Sequence, residues 1–155
     1  MSKFQLKNFF KAAYDRILVF LQFFIISLHF FQWKFLPQQQ IIQASSFSYF
    51  LGILIIIIAF IIILVSIKDL GKNLSPFPRP INNSNLVTTG IYRFTRHPMY
   101  YSLIFISFGV FIKKLSIYYL FLSISLGLII KFKIALEEQY LKNKYKNYLL
   151  YKNEV

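Results

Sequence analysis

Most of the residues able to do chemistry in this chain crowd into one stretch, Leu86-Val87-Thr88-Thr89-Gly90-Ile91-Tyr92-Arg93-Phe94-Thr95-Arg96-His97-Pro98-Met99-Tyr100, and an adjacent pair of carboxylates, Glu137 and Glu138, follows further on. Gly90 marks a turn, and Pro98 suits the first position of a helix, where the N–H it lacks would be unpaired anyway. Arg96 and His97 then fall at a helix N-terminus. There, free backbone N–H groups, the positive end of the macrodipole and a guanidinium together can receive a carboxylate or a phosphate. A second reading stands beside this one, in which Arg93 and Arg96 only hold lipid phosphates at an interface. Glu137 and Glu138 also read two ways. They either approach the Arg96-His97 turn in space or balance charge on a solvated helix face, with Lys133 four residues before Glu137. No metal set emerges, because the two histidines, His29 and His97, lie far apart in the sequence. The chain has no cysteine, which removes thiolate sites, disulfides and cysteine nucleophiles.

The elements that must position these residues belong to a membrane. At 57% hydrophobic residues over 155 positions, the chain is one domain too apolar for water alone. The uncharged run Phe47 to Ile67 reaches roughly 31 Å as a helix, the thickness of a hydrocarbon core, and is too long and too far from the N-terminus for a cleaved signal peptide. Residues 1–16, with Lys3, Lys7, Lys11 and Arg16 among apolar side chains, read as a basic segment lying on the membrane. Residues 17–67 hold two spans, the first from about Ile17 to Phe35 and ending at Trp33 and Lys34. Gln22, His29 and Gln32 interrupt it; they line an acceptor tunnel or hydrogen-bond across the bundle. Residues 68–98 form a motif loop containing four of the five prolines.

Residues 99–130 contain the runs Met99 to Ile112 and Leu115 to Ile130, split by Lys113 and Lys114, which predict an antiparallel helical hairpin. At roughly 21 and 24 Å each arm is short for a span, so tilting or a re-entrant path remains open. Residues 131–155 are a basic, tyrosine-rich tail into which the fourth helix continues. Only Lys34, Lys113 and Lys114 of the 18 Lys and Arg residues fall on the far side, which predicts cytoplasmic termini. The net charge of +13 therefore belongs beside anionic lipid, and no nucleic-acid partner is expected. The expected fold is an all-α integral membrane protein of about four transmembrane helices, the last two a short hairpin, with a cytoplasmic cofactor-binding loop and tail. A bacterial inner membrane is the expected location, and oligomeric state is not legible.

Taken together, LVTTGIYRFTRHPMYYS, a helical hairpin and EEQYLKNKYKNYLLYK resemble the isoprenylcysteine carboxyl methyltransferase family, which is related to membrane phospholipid methyltransferases. Ser75-Pro76-Phe77-Pro78-Arg79-Pro80 fits the proline-rich lead-in of its bacterial members, and the resemblance runs from about Lys72 to Tyr151. It implies a methyltransferase that uses S-adenosylmethionine, with a cofactor pocket at the cytoplasmic helix ends and a side opening for a lipid-like, isoprenoid or prenylated acceptor. By position, the cofactor contacts fall on Leu86, Val87, Tyr92, His97, Pro98, Met99, Tyr100 and Glu137, with Glu138 adjoining. Arg96 and Lys133 are the expected catalytic residues, Lys133 standing where the family has a substrate-facing arginine. Lysine lacks the bidentate fork, so the acceptor is open to difference. Ser102 replaces a usual glycine, and Tyr145-Lys146 a usual Phe-Gly pair. The chemistry of the cofactor agrees: its carboxylate suits the helix N-terminus, its amino group or ribose hydroxyls suit Glu137, and its sulfonium suits the face of Tyr92 or Tyr100.

Two other functions compete. Membrane sterol and steroid reductases resemble this region too, with a similar Arg-His turn, but use NADPH; the His-Pro-Met-Tyr continuation and the glutamate pair favour the methyl donor. A non-enzymatic scaffold or transporter subunit is the third, and it would tolerate changes at His97 and Glu137.

Overall fold

The computed structural model describes the backbone of residues 3–30 and 43–155, and the side chains of 12–30 and 43–155. Five helices account for the described residues, with no strand among them: α1 Lys3–Leu28, α2 Ser46–Leu70, α3 Pro98–Lys114, α4 Ile117–Lys144 and α5 Tyr148–Glu154. Two 3-10 turns, Gly71–Asn73 and Gly90–Arg93, punctuate the long connection between α2 and α3. By length and apolarity, Ser46–Asn73 and Ile117–Lys144 can each cross a bilayer. α2 leaves Leu54, Ile57, Ile58 and Ile61 exposed for lipid to cover.

The helices depart from the sequence expectation at two places. α1 runs without a break from Lys3 to Leu28, across the boundary expected after residue 16, since neither glycine nor proline occurs before Pro37 to interrupt it. Gln32, Trp33, Lys34 and most of the turn from Pro37 to Ser46 lie outside the described residues. The hairpin arms are also unequal. α3 has 17 residues and reaches roughly 25 Å, whereas α4 has 28 and reaches roughly 42 Å, because helix continues through the polar tail. The connection is tight, with Leu115 in the left-handed region at φ 46°.

α2 lies along α3 at a crossing that only glycine permits. A Cβ on Gly52 would sit 2.6 Å from the Gly109 carbonyl oxygen, and one on Gly109 would sit 2.9 Å from that of Gly52. Small residues let helix backbones approach in lipid, where no hydrophobic force drives them together. α1 packs on α4, and Tyr100, Leu126 and Ile130 form the core with Ile25, Ile26, Leu103, Ile104 and Ile134 around them. His29 joins the helices by a hydrogen bond between its Nε2 and Ser107 Oγ at 2.7 Å, and Ser107 continues to Ser123 at 2.9 Å. Of the polar residues in the first span, Gln22 and His29 thus both find partners on other helices.

Candidate active site

The end of the bundle where α2 and α4 finish and α3 begins gathers the motif residues, and its scaffold starts with a turn. Gly90 has φ 62°, and a Cβ there would fall 2.0 Å from Asp69 Oδ2. The space is taken because that carboxylate accepts the Ile91 N–H at 2.7 Å, tying the 3-10 turn to the last turn of α2. From the far side, the Tyr151 hydroxyl donates to the Tyr92 carbonyl at 2.6 Å. Tyr92 is thereby held from both ends of the chain and buried. His97 then caps α3 and Pro98 opens it, as the sequence predicts. Ser102, one turn on, is buried and bonds back to the Pro98 carbonyl at 2.9 Å, so a small side chain still fits where the resemblance expects glycine.

The hairpin returns the glutamates to this turn. Glu138 accepts from Arg96 Nε at 3.1 Å and also pairs with the Lys152 ammonium, while Arg96 reaches the Lys152 carbonyl at 3.3 Å. Arg96 is therefore engaged by α4 and α5 together. His97 Nε2 lies 3.5 Å from the same carboxylate, and its ring stacks on Tyr100 at 5.7 Å. Burial pushes the His97 pKa down to about 4, against the opposing pull of Glu138. The imidazole is neutral at pH 7, its buried Nε2 without a hydrogen-bond partner among the described residues, which leaves Arg96 as the cation of this turn. Burial likewise raises Tyr92 and Tyr148 above the ordinary phenol value, so both keep their protons.

Two cavities meet here. The smaller is lined by Tyr92, Arg96, His97, Met99, Tyr100 and Glu137, along with Leu70 and Ser75. The larger shares Leu70, Ser75, Tyr92, Arg96 and Glu137 and extends past Leu86 and Val87 along the proline-rich loop to Tyr145, Tyr148 and Tyr151. Glu137 stands on the shared wall, and its buried Oε2 has no hydrogen-bond partner among the described residues. Pro98 and Glu138 do not line either space; the first sets the start of α3 and the second holds Arg96. Lys133 is also outside both. It is buried, its ammonium bonded to Gln22 Oε1 and to the Pro76 carbonyl and lying 5.0 Å from the centre of the Tyr100 ring.

Comparison with known proteins gives one match, to the phospholipid methyltransferase family, over residues 47–148. The chain belongs to that family. No curated protein and no solved structure matches it. Membership makes it a membrane methyltransferase dependent on S-adenosylmethionine, with a lipid acceptor, and decides against the NADPH and scaffold readings. The related isoprenylcysteine carboxyl methyltransferases are not themselves matched. The matched span takes in α2, α3 and α4 and ends at the first residue of α5, so α1 lies outside it.

Sequence reasoning missed several residues of this site. Asp69 carries no motif and counts only because its carboxylate caps the turn. Tyr145, Tyr148 and Tyr151 stand out merely as a tyrosine-rich tail; Tyr148 and Tyr151 share one face of α5, while Tyr145 precedes it in extended backbone.

Proposed function

We propose that the two joined cavities hold S-adenosylmethionine and that a membrane lipid reaches its methyl group from the bilayer side. The observation that supports this most is Glu137 Oε2, a buried carboxylate oxygen with no partner, on the wall shared by both cavities. The other side of this carboxylate is satisfied by the Tyr100 hydroxyl, but a buried oxygen left without a donor is costly unless a ligand supplies one, and an amino group or ribose hydroxyls would. The pattern of donors fits as well. The start of α3 offers free backbone N–H groups for a carboxylate, with neutral His97 beside them. Tyr92 is the aromatic face available to a sulfonium, since the Tyr100 ring is engaged by His97 and Lys133. Leu86, Val87 and Met99 give apolar wall, and Pro98 fixes the helix start that aims His97.

When bound, S-adenosylmethionine supplies an electrophilic methyl group for in-line displacement. The chain's own work is alignment and exclusion of water. Tyr92 is set by Asp69 through the turn and by Tyr151 through its carbonyl. Arg96 and Glu138, paired with each other and with Lys152, close the rim by joining α3, α4 and α5.

For the acceptor we infer an amine headgroup of a phospholipid over an isoprenoid or prenylcysteine carboxylate. Arg96 is paired with Glu138, and Lys133 is buried against Gln22 and Pro76, so neither expected catalytic cation is presented free to an acceptor carboxylate. An amine headgroup must shed a proton before methylation, which suits a cleft walled by Glu137. The whole chain, residues 1–155, is proposed as one membrane unit with four crossings and with both termini and the cleft on the cytoplasmic face. Arg93, Arg96, Lys144, Lys146 and Lys152 collect at that end, as the positive-inside rule requires.

The test is transfer of labelled methyl from S-adenosylmethionine by the purified protein in vesicles containing phosphatidylethanolamine, with farnesylcysteine as the competing acceptor. Label in the phospholipid is expected. Label only as farnesylcysteine ester would move the reaction to carboxyl methylation, and label in neither would overturn the acceptor reading.

A further inference from the structure

Three polar residues fall on one seam, Asp15 and Gln22 on α1 and His29 just past its end. Asp15, Gln22 and His29 are spaced by heptads and so share a face, and each has a polar partner on another helix. The Tyr140 hydroxyl donates to Asp15 Oδ2 at 2.9 Å, Lys133 donates to Gln22, and His29 bonds Ser107. Tyr140 and Lys133 are themselves a heptad apart on α4, so α1 runs antiparallel to it in matched register. The middle rung differs from the others. Lys133 is 1% exposed and Gln22 6%, with the Gln22 side-chain oxygen and the Pro76 carbonyl as the ammonium's hydrogen-bond acceptors.

What Lys133 touches makes the rung consequential. Pro76 lies between Ser75 and Phe77, both of which line the larger cavity. Tyr100, whose ring centre is 5.0 Å from the ammonium, lines the smaller cavity with Glu137 and stacks on His97. One ammonium thus braces two walls of the cleft, and its position is set by a side chain from α1, a helix outside the family match. A nonpolar residue at position 22 would leave a buried ammonium one acceptor short, and it would have to move or draw in water.

We propose that Gln22 is a positioning residue for the cofactor cleft: by holding Lys133, it fixes Tyr100 and the proline-rich wall, and it makes α1 part of the binding apparatus. This rests on the reading of the cleft as the S-adenosylmethionine site. Asp15 secures the other side of the same wall more loosely, with Arg79 Nε 3.9 Å from its carboxylate.

The test is calorimetric titration of S-adenosylhomocysteine into the full-length protein in detergent, alongside thermal unfolding. Gln22→Met is expected to weaken binding roughly ten-fold, a coupling ordinary for residues sharing one polar network. Gln22→Glu keeps an oxygen for Lys133 and should stay within about two-fold of wild type. His29→Leu breaks a rung of the same seam away from the cleft; it should unfold at lower temperature yet bind as wild type does. In a Lys133→Met background, Gln22→Met should add nothing further. Should Gln22→Met not fold, Gln22→Asn, one methylene short of Lys133, takes its place with a loss of about five-fold. Unchanged binding in Gln22→Met, or weakening that tracks unfolding temperature equally in His29→Leu, would overturn the inference alone. No binding by wild type would overturn the cleft reading and this inference with it.

Discussion

α2 and α4 are both long apolar helices able to cross a bilayer, yet they are held in the molecule by opposite means. α2 fully buries only Ser48, Gly52, Ala59 and Ser66. It is fixed by how little it carries there, since the absence of side chains at Gly52 and Gly109 lets two backbones meet. α4 buries Tyr119, Leu122, Ser123, Leu126, Ile130, Lys133 and Leu136. It is fixed by packing and by polar partners, and its last turns carry Glu137 into the cleft and Glu138 to Arg96 beside it. One helix is therefore sensitive to added volume and the other to removed volume or removed partners.

Substitutions should separate the two. Gly52→Val places carbon atoms where the Gly109 carbonyl stands and should cost about 3 kcal/mol of stability in detergent or bicelle unfolding, or prevent assembly of α2 on α3. Leu126→Ala, at a side chain 1% exposed, should cost a similar amount, about 3 kcal/mol, by leaving a cavity. Gly90→Ala should cost about 2 kcal/mol, because it combines a positive φ with a clash against the carboxylate that caps the turn. Ile57→Ala, on the lipid face of α2, should change stability by no more than about 0.5 kcal/mol. An Ile57→Ala loss as large as that of Leu126→Ala would mean that α2 has a buried partner, and the contrast between the helices would fail.

A pH effect of smaller size belongs to the cleft end. His97 titrates at 6.5 when free and at about 4 in the folded protein, where it faces Glu138, Arg96 and Lys152. Between those values the unfolded chain binds more protons, so stability rises with pH. The contribution of His97 is complete above 6.5 and is lost progressively as pH falls toward 4. Lowering the pH from 7 to 5 should bring the unfolding temperature of wild type down relative to that of His97→Gln.

The sequence was most informative where periodicity and local chemistry decide structure. The charge-free run of α2, the start of α3 at Pro98 and the return of the glutamates to the Arg96-His97 turn are all legible from spacing. Less legible were features that depend on what lies across from a residue. Gly52 and Gly109 look like ordinary glycines until the two helices cross. Asp69 looks like a surface acid until Gly90 leaves it room. The resemblance puts Lys133 at the position of a substrate-facing arginine, but which way a long side chain turns is set by Gln22 and Pro76, distant in sequence. α1 ran past its expected boundary because charge marks where a membrane ends, whereas only glycine, proline or a cap marks where a helix does.

The most direct measurement is titration of S-adenosylhomocysteine into the purified wild-type protein and into its Glu137→Ala and His97→Ala variants. A cleft that holds the cofactor through the unpartnered Glu137 Oε2 requires saturable binding in wild type, a fall of roughly a hundred-fold in Glu137→Ala, as for a charged hydrogen bond, and a smaller loss in His97→Ala. Wild-type binding that survives unchanged in Glu137→Ala would place the cofactor elsewhere and contradict the site described.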